Sequence, residues 1–362
     1  MVCGERKRAL SECNRDGCLP IWRLFALMLL LAAFALVVPG CDSSSEDDEK
    51  TIRVEVDWLV INGTDFLRPD VNNIVNRMVQ AFKNHGYTLE VEVSNGISHS
   101  TGQLALGPST TANYNDLFNS STEFGQLRSQ NKNKGDDWHY CIISWAFYFS
   151  DQSTVISASG LAQLPGKSFV LGAFAYTPPT SHNQNYMTNT LMHELGHNLG
   201  LHHGGFEDAN WKPNYNSIMN YRYQFDGFDG NCDAIGEGNG SASGGTAEYS
   251  VGRNVNLDET RIFEPDGVCG GGNGIDWSGD GQIDTANFYS GNLDINQQTG
   301  QPFDPSLSVL RDFDDWSNLN TTASGRERAE QEVAVCRNVA PGVDLIPDFA
   351  TWWERYGANF TN

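Results

Sequence analysis

Basic residues are scarce. Lys and Arg number 23 against 45 Asp and Glu, a formal net charge of −22 over 362 residues. Phosphate backbones are bound by clustered cations, which this chain lacks, so nucleic acid is excluded as a partner. The same charge repels anionic lipid surfaces. No CxxC pair occurs, which argues against a cysteine-built zinc site. The apolar run from Leu24 to Val38 is short for a membrane span, and no internal repeat is evident. What remains is a folded chain, 39% hydrophobic and 11% aromatic, long enough for one large domain or two ordinary ones.

The apolar run has the length of a secretory signal. Arg6, Lys7, Arg8, Arg15 and Arg23 precede it, and Val38-Pro39-Gly40-Cys41 follows. That tetrad resembles a bacterial lipobox, which implies a leader over 1–40, cleavage before Cys41 and a lipid on Cys41 that anchors the chain to a membrane. A plain signal peptide or an uncleaved anchor is the alternative. Each reading sends the chain out of the cytosol. Residues 41–50 are short, polar and acidic, the composition of a tether. With the leader and Cys41 set aside, Cys141, Cys232, Cys269 and Cys336 remain, and an even number in an oxidising compartment points to two disulfides. Three pairings exist. Cys232 with Cys269 is favoured because both flank a glycine-rich loop, leaving Cys141 with Cys336.

The densest chemistry lies between Leu191 and His203, LMHELGHNLGLHH, which holds HExxHxxGxxH in full. His193 and His197 are four apart, so on a helix their imidazoles share one face and can grip one metal ion. Glu194 lies beside that metal, where a carboxylate can take a proton from activated water. Gly200 supplies the positive φ with which a chain leaves a helix, and the turn returns His203 as third ligand. Three neutral nitrogens leave zinc one open position, the mark of a catalytic site. His202 reads as a neighbour of the site or a surface residue, and is the substitute ligand if the turn runs differently.

Downstream, Ser217-Ile218-Met219-Asn220-Tyr221 completes a pattern that resembles the metzincin zinc peptidases, with the SIMxY turn of their astacin and serralysin branches. The resemblance implies His193, His197 and His203 as zinc ligands and Glu194 as general base. It further implies Met219 as the hydrophobic floor and Tyr221 as auxiliary ligand or oxyanion donor. It also implies an α/β (α+β) fold over 51–226, a twisted, mostly parallel sheet with an antiparallel edge strand and an active-site helix. Gly160-Leu161-Ala162, within GLAQLPG, resembles the metzincin edge strand on which an extended substrate pairs; an ordinary turn between strands is the alternative. No room for a metzincin propeptide is seen between tether and first strand.

Periodicity gives the framework. Thr51 to Ile61 alternates as a strand, Asp70 to His85 has a helical period with Asp70 as N-cap, and Leu89 to Val93 alternates again. Tyr140 to Phe149 is apolar enough to be buried on both faces. Ser168 to Phe174 is a further strand, and Asn185 to Leu201 is the active-site helix. Residues 227–362 read as a loop-rich region. Within it, Asp276, Ser278, Asp280, the Gln282 carbonyl and Asp284 follow calcium-loop spacing, with Gly281 at the turn and Asn287 where an EF-hand has its bidentate Glu. Asp312 to Trp316 reads as a capped turn.

These readings converge on a membrane-anchored, extracytoplasmic zinc endopeptidase of proteins or peptides, with calcium as a second, structural ion. Two rivals remain: an adhesion or binding module that keeps the zinc fold, and a zinc amidase acting on a cell-wall amide.

Overall fold

The computed structural model describes residues 50–109, 114–152, 155, 156, 158–175, 184–238, 245–270, 273–286, 288, 293–296, 307–321 and 332–336, the last as backbone. The chain divides into two compact units, Met1–Ser45 and Glu46–Asn362, and every described residue belongs to the second. The expected leader, Cys41, Asn287 and the side chain of Cys336 lie outside the described residues.

In chain order the main elements are β1 (Thr51–Ile61), α1 (Asn76–Asn84), β2 (Thr88–His99), β3 (Gln103–Leu106), α2 (Glu123–Asn131), β4 (His139–Ser144), β5 (Ala146–Phe149), β6 (Gly160–Leu164), β7 (Ser168–Gly172), α3 (Gln184–Asn198), β8 (Leu257–Asp258), β9 (Val309–Leu310) and β10 (Glu332–Cys336). Six strands form one sheet in the order β10-β6-β7-β4-β1-β2. The pairs β2–β1, β1–β4 and β4–β7 are parallel. The pairs β7–β6 and β6–β10 are antiparallel. The fold is therefore α/β with a mostly parallel sheet.

Parallel strands are covered on both faces, which is why β4 reads as a near-continuous apolar run and why the second half of β1, from Trp58 to Ile61, does too. Val54, Val56, Leu59, Ile142 and Ile143 are fully buried. Tyr140 to Phe149 divides at Trp145 into strands of two sheets, β4 in the large one and β5 beside β3; with both faces buried, no alternation marks the break. The expected cap forms: the Asp70 carboxylate accepts the amides of Asn72 and Asn73 at 2.8 and 3.2 Å ahead of α1.

β1 also buries two acids, Glu55 held by backbone amides and Asp57 by one backbone amide and one hydroxyl. Glu55 accepts the amides of Asn133 and Lys134 at 2.8 and 3.0 Å. Asp57 accepts the Asn95 amide at 2.8 Å where the β1–β2 register slips, and the Tyr140 hydroxyl at 2.5 Å. Burial pushes the Asp57 carboxyl up to about 6.

Residues after 226 join the main core. Tyr249 and Trp316 pack in the same cluster as Phe82, Leu195 and Met219. A smaller cluster of Ala234, Leu257, Val268 and Leu310 gathers around the Cys232–Cys269 disulfide. The second expected disulfide does not form: Cys141 is a buried free thiol. Cys141 aligns with Phe169, Phe169 with Ala162 and Ala162 with Ala334, so β10 lies three strand spacings away. At about 4.8 Å per spacing this far exceeds the roughly 7 Å limit between bridged Cα atoms. No helix among the described residues is long and apolar enough to cross a membrane.

Candidate metal centre

α3 runs beneath the sheet and is fixed there by Asn198. Its side-chain amide donates to the Gln163 carbonyl of β6 at 2.8 Å and to the Ser168 carbonyl of β7 at 3.1 Å. Its oxygen lies 3.0 Å from His139 Nδ1 of β4. One side chain thus ties the last turn of the helix to three strands. Gly200 has φ +94°, the left-handed value that the sequence required there, and the Asn320 amide caps the Leu199 carbonyl at 2.8 Å.

The turn brings His203 back to the helix. One ring nitrogen from each of His193, His197 and His203 falls within 4.8 Å of the others. Among the described residues this is the one group of three or more His, Cys, Asp or Glu gathered closely enough for a metal. His193 and His197 are fully buried and His203 is half-buried.

Tautomers follow from the partners. His193 Nδ1 lies 2.6 Å from the Ile218 carbonyl and His197 Nδ1 lies 2.7 Å from the Leu201 carbonyl. A carbonyl only accepts, so each Nδ1 carries the proton and each Nε2 presents a lone pair. Those two Nε2 atoms face each other at 3.1 Å. Two lone pairs so placed repel unless a cation lies between them, so the donor set fits a zinc ion. Burial pushes His193 down to about 4 and His203, beside His193, down to about 3, and it holds His197 well below its usual range. The imidazoles are thus neutral, the form that binds metal.

Met219 is buried under the helix, with its sulfur against Gly196, where any Cβ would overlap it. Tyr221 stands beside the triad, its ring 4.5 Å from that of His203 and 6.0 Å from that of His193. Glu194 is fully buried. Its carboxylate lies so close to Gly160 of β6 that a Cβ there would overlap it. His202 turns away to Asp208, with its Nδ1 2.9 Å from that carboxylate.

Residues 69–204 match the model of metallo-peptidase family M12B, Reprolysin-like. That match covers less than half of the chain. It takes in the three histidines and Glu194 and stops short of the Met219 turn. No curated protein matches the chain. Among solved structures, archaemetzincin from Methanopyrus kandleri is 17% identical, over 42% of this chain and 76% of its own, with a TM-score of 0.26. A chaperone–substrate complex is 13% identical, over 45% of this chain and 25% of its own, with a TM-score of 0.25. Scores this low leave the fold to be argued from the strands themselves.

Gly160, Leu161 and Ala162 do lie on a strand beside Glu194, but the edge expected to receive substrate is already paired with β10. In the calcium loop, Asp276 is engaged by its own backbone. Its Oδ1 accepts from Gly279 and Asp280 amides and the Ser278 hydroxyl, and its Oδ2 accepts the Gly281 amide at 2.7 Å. Asp280, Gln282 and Asp284 are exposed, and the Asp284 and Ser278 amides donate instead to Glu264. Among the described residues, Asp276, Asp280 and Asp284 are not gathered as closely as the three histidines are.

Sequence reasoning missed Asp315. Fully buried, it accepts the Tyr215 hydroxyl at 2.7 Å, the Ser217 hydroxyl at 2.7 Å and the Ser250 amide at 3.0 Å. Asp315 thus supports the Met219 turn, while Asp314 caps the local turn by accepting the Ser317 amide and hydroxyl at 3.0 and 2.6 Å.

Proposed function

We propose that this chain is a zinc-dependent endopeptidase acting outside the cytosol, with Glu194 as general base. The observation that carries the reading is the pair of Nε2 lone pairs held 3.1 Å apart by carbonyl-bound Nδ1 protons. His193, His197 and His203 would hold the metal. When bound, zinc supplies Lewis acidity that polarises a carbonyl and acidifies water.

The other steps belong to the chain's own residues. Glu194 takes the proton of the attacking water and returns it to the leaving amine. The closeness of its buried carboxylate to Gly160 of β6 supports this role for a peptide extended along that strand. Tyr221, half-buried beside His203, donates its hydroxyl to the developing oxyanion. Ile218 and Leu201 hold two of the imidazoles in the ligating tautomer through their carbonyls.

The extracytoplasmic address rests on the leader and Cys41, and a lipid there would tether the domain to a membrane. Calcium keeps only the support of its sequence spacing. The test of the activity is hydrolysis of a mixed peptide library by the zinc-loaded chain, with products mapped by mass spectrometry. Internal cuts that stop on chelation and return with zinc support an endopeptidase. A protein with one zinc that cuts no peptide would contradict it and leave a binding module or a non-peptide amidase.

A further inference from the structure

β6 has no free edge. On one side Gly160, Leu161 and Ala162 align with Leu171, Val170 and Phe169 of β7. On the other they align with Cys336, Val335 and Ala334 of β10. β10 enters opposite Leu164, with Glu332, and leaves opposite Gly160, with Cys336. Gly160 is the residue whose missing Cβ makes room for the Glu194 carboxylate. A segment lying on this edge therefore runs, from its N-terminus to its C-terminus, toward the candidate base.

We propose that Glu332–Cys336 is a built-in occupant of the peptide-docking edge, an intramolecular strand that keeps the metal centre closed to other peptides until it is displaced. This rests on the peptidase reading in taking β6 as the docking edge. Strand addition is driven by main-chain hydrogen bonds, so the groups that would hold a substrate are the groups that hold β10. The occupant is also tethered close by. In sequence only ten residues, 322–331, separate it from Thr321, which follows Asn320, whose amide caps the Leu199 carbonyl. A short link of this kind sets a local concentration on the order of millimolar, which a dilute peptide must overcome. Displacement, by a tightly binding partner or by cutting within the link, would expose the edge.

Adjacent amides of an antiparallel strand point to opposite sides, so only one of Val333→Pro and Ala334→Pro removes a donor facing β6. The other serves as its control. The probe is a fluorescein-labelled Glu-Val-Ala-Val-Ser peptide, titrated by anisotropy into full-length, zinc-loaded protein carrying Glu194→Gln so that it is bound and not cut. The expected result is at least tenfold tighter binding to one proline variant than to the parent or to the other variant. With Glu194 restored, kcat/KM on a quenched peptide rises by a similar factor. A second variant pairs Ala162→Cys with Ala334→Cys, which are aligned across the ladder. Oxidation of that pair is expected to abolish probe binding, and reduction to restore it. Equal probe binding by parent and both proline variants would overturn the proposal, as would undiminished binding to the oxidised pair. Tighter binding without faster hydrolysis, in a protein that does cut peptides, would also overturn it. Probe binding needs no catalysis: failure of the peptidase reading shows as no hydrolysis by any form while the binding contrast persists.

Discussion

The Ser217 hydroxyl donates to Asp315 Oδ2 at 2.7 Å, across 98 residues of sequence. The next residue, Ile218, presents the carbonyl that holds the His193 Nδ1 proton. A buried carboxylate in the C-terminal part of the chain therefore positions His193, a proposed zinc ligand, through two hydrogen bonds and one peptide unit.

Asp315→Ala is expected to be costly. It strands the Tyr215 and Ser217 hydroxyls and the Ser250 amide inside the core, and unmet buried donors cost about 1–3 kcal/mol each. Urea unfolding should show a loss of roughly 3 kcal/mol or more. Zinc affinity should fall by about 10–100-fold, the usual effect of disturbing groups that orient metal ligands. Unchanged zinc affinity in a folded Asp315→Ala protein would show that the turn does not depend on this carboxylate.

Asp315 also sets a pH dependence. Burial pushes its carboxyl up to about 7, against hydrogen bonds that pull it down. In the unfolded chain it ionises near 3.9. Between those values the folded state holds the proton and the unfolded state does not, so this group's contribution to stability falls as pH rises from about 4 to about 7. Above the folded value the loss is complete. Asp57, raised to about 6, adds a slope of the same sign. The stability of Asp315→Asn, measured from pH 4 to 8, should decline less steeply than the parent's; parallel curves would count against a protonated Asp315.

Gly160→Ala tests the close approach of strand and base. The added methyl overlaps the Glu194 carboxylate, which must move, and displacement of a catalytic group by about 1 Å can cost ~10²-fold. Steady-state kinetics should show kcat falling by about that factor with zinc content intact. A fully active Gly160→Ala protein would mean that Glu194 does not act from this position.

The parts of the site legible in sequence were local ones. His193 and His197 share a helical face by spacing alone, and Gly200 states its own φ. Met219 and Tyr221 were legible through the SIMxY pattern. What supports them was not, because Asp315, Tyr249 and Asn320 reach the site from far along the chain through single hydrogen bonds or packing contacts that leave no periodic trace. Strand β10 was hidden for a related reason. Five residues with two valines read as a strand anywhere, and nothing within them names the partner. The Cys141–Cys336 expectation failed on the same ground, since counting cysteines carries no information on how many strands separate them.

The most direct measurement of the central claim is kcat/KM on one quenched peptide for the parent and for Glu194→Gln, each with one zinc per chain. Glutamine keeps the shape of the side chain and removes its capacity to take a proton, so the account predicts a fall of about 10²–10⁴-fold, the usual worth of a general base. Equal rates for the two zinc-loaded proteins would contradict it.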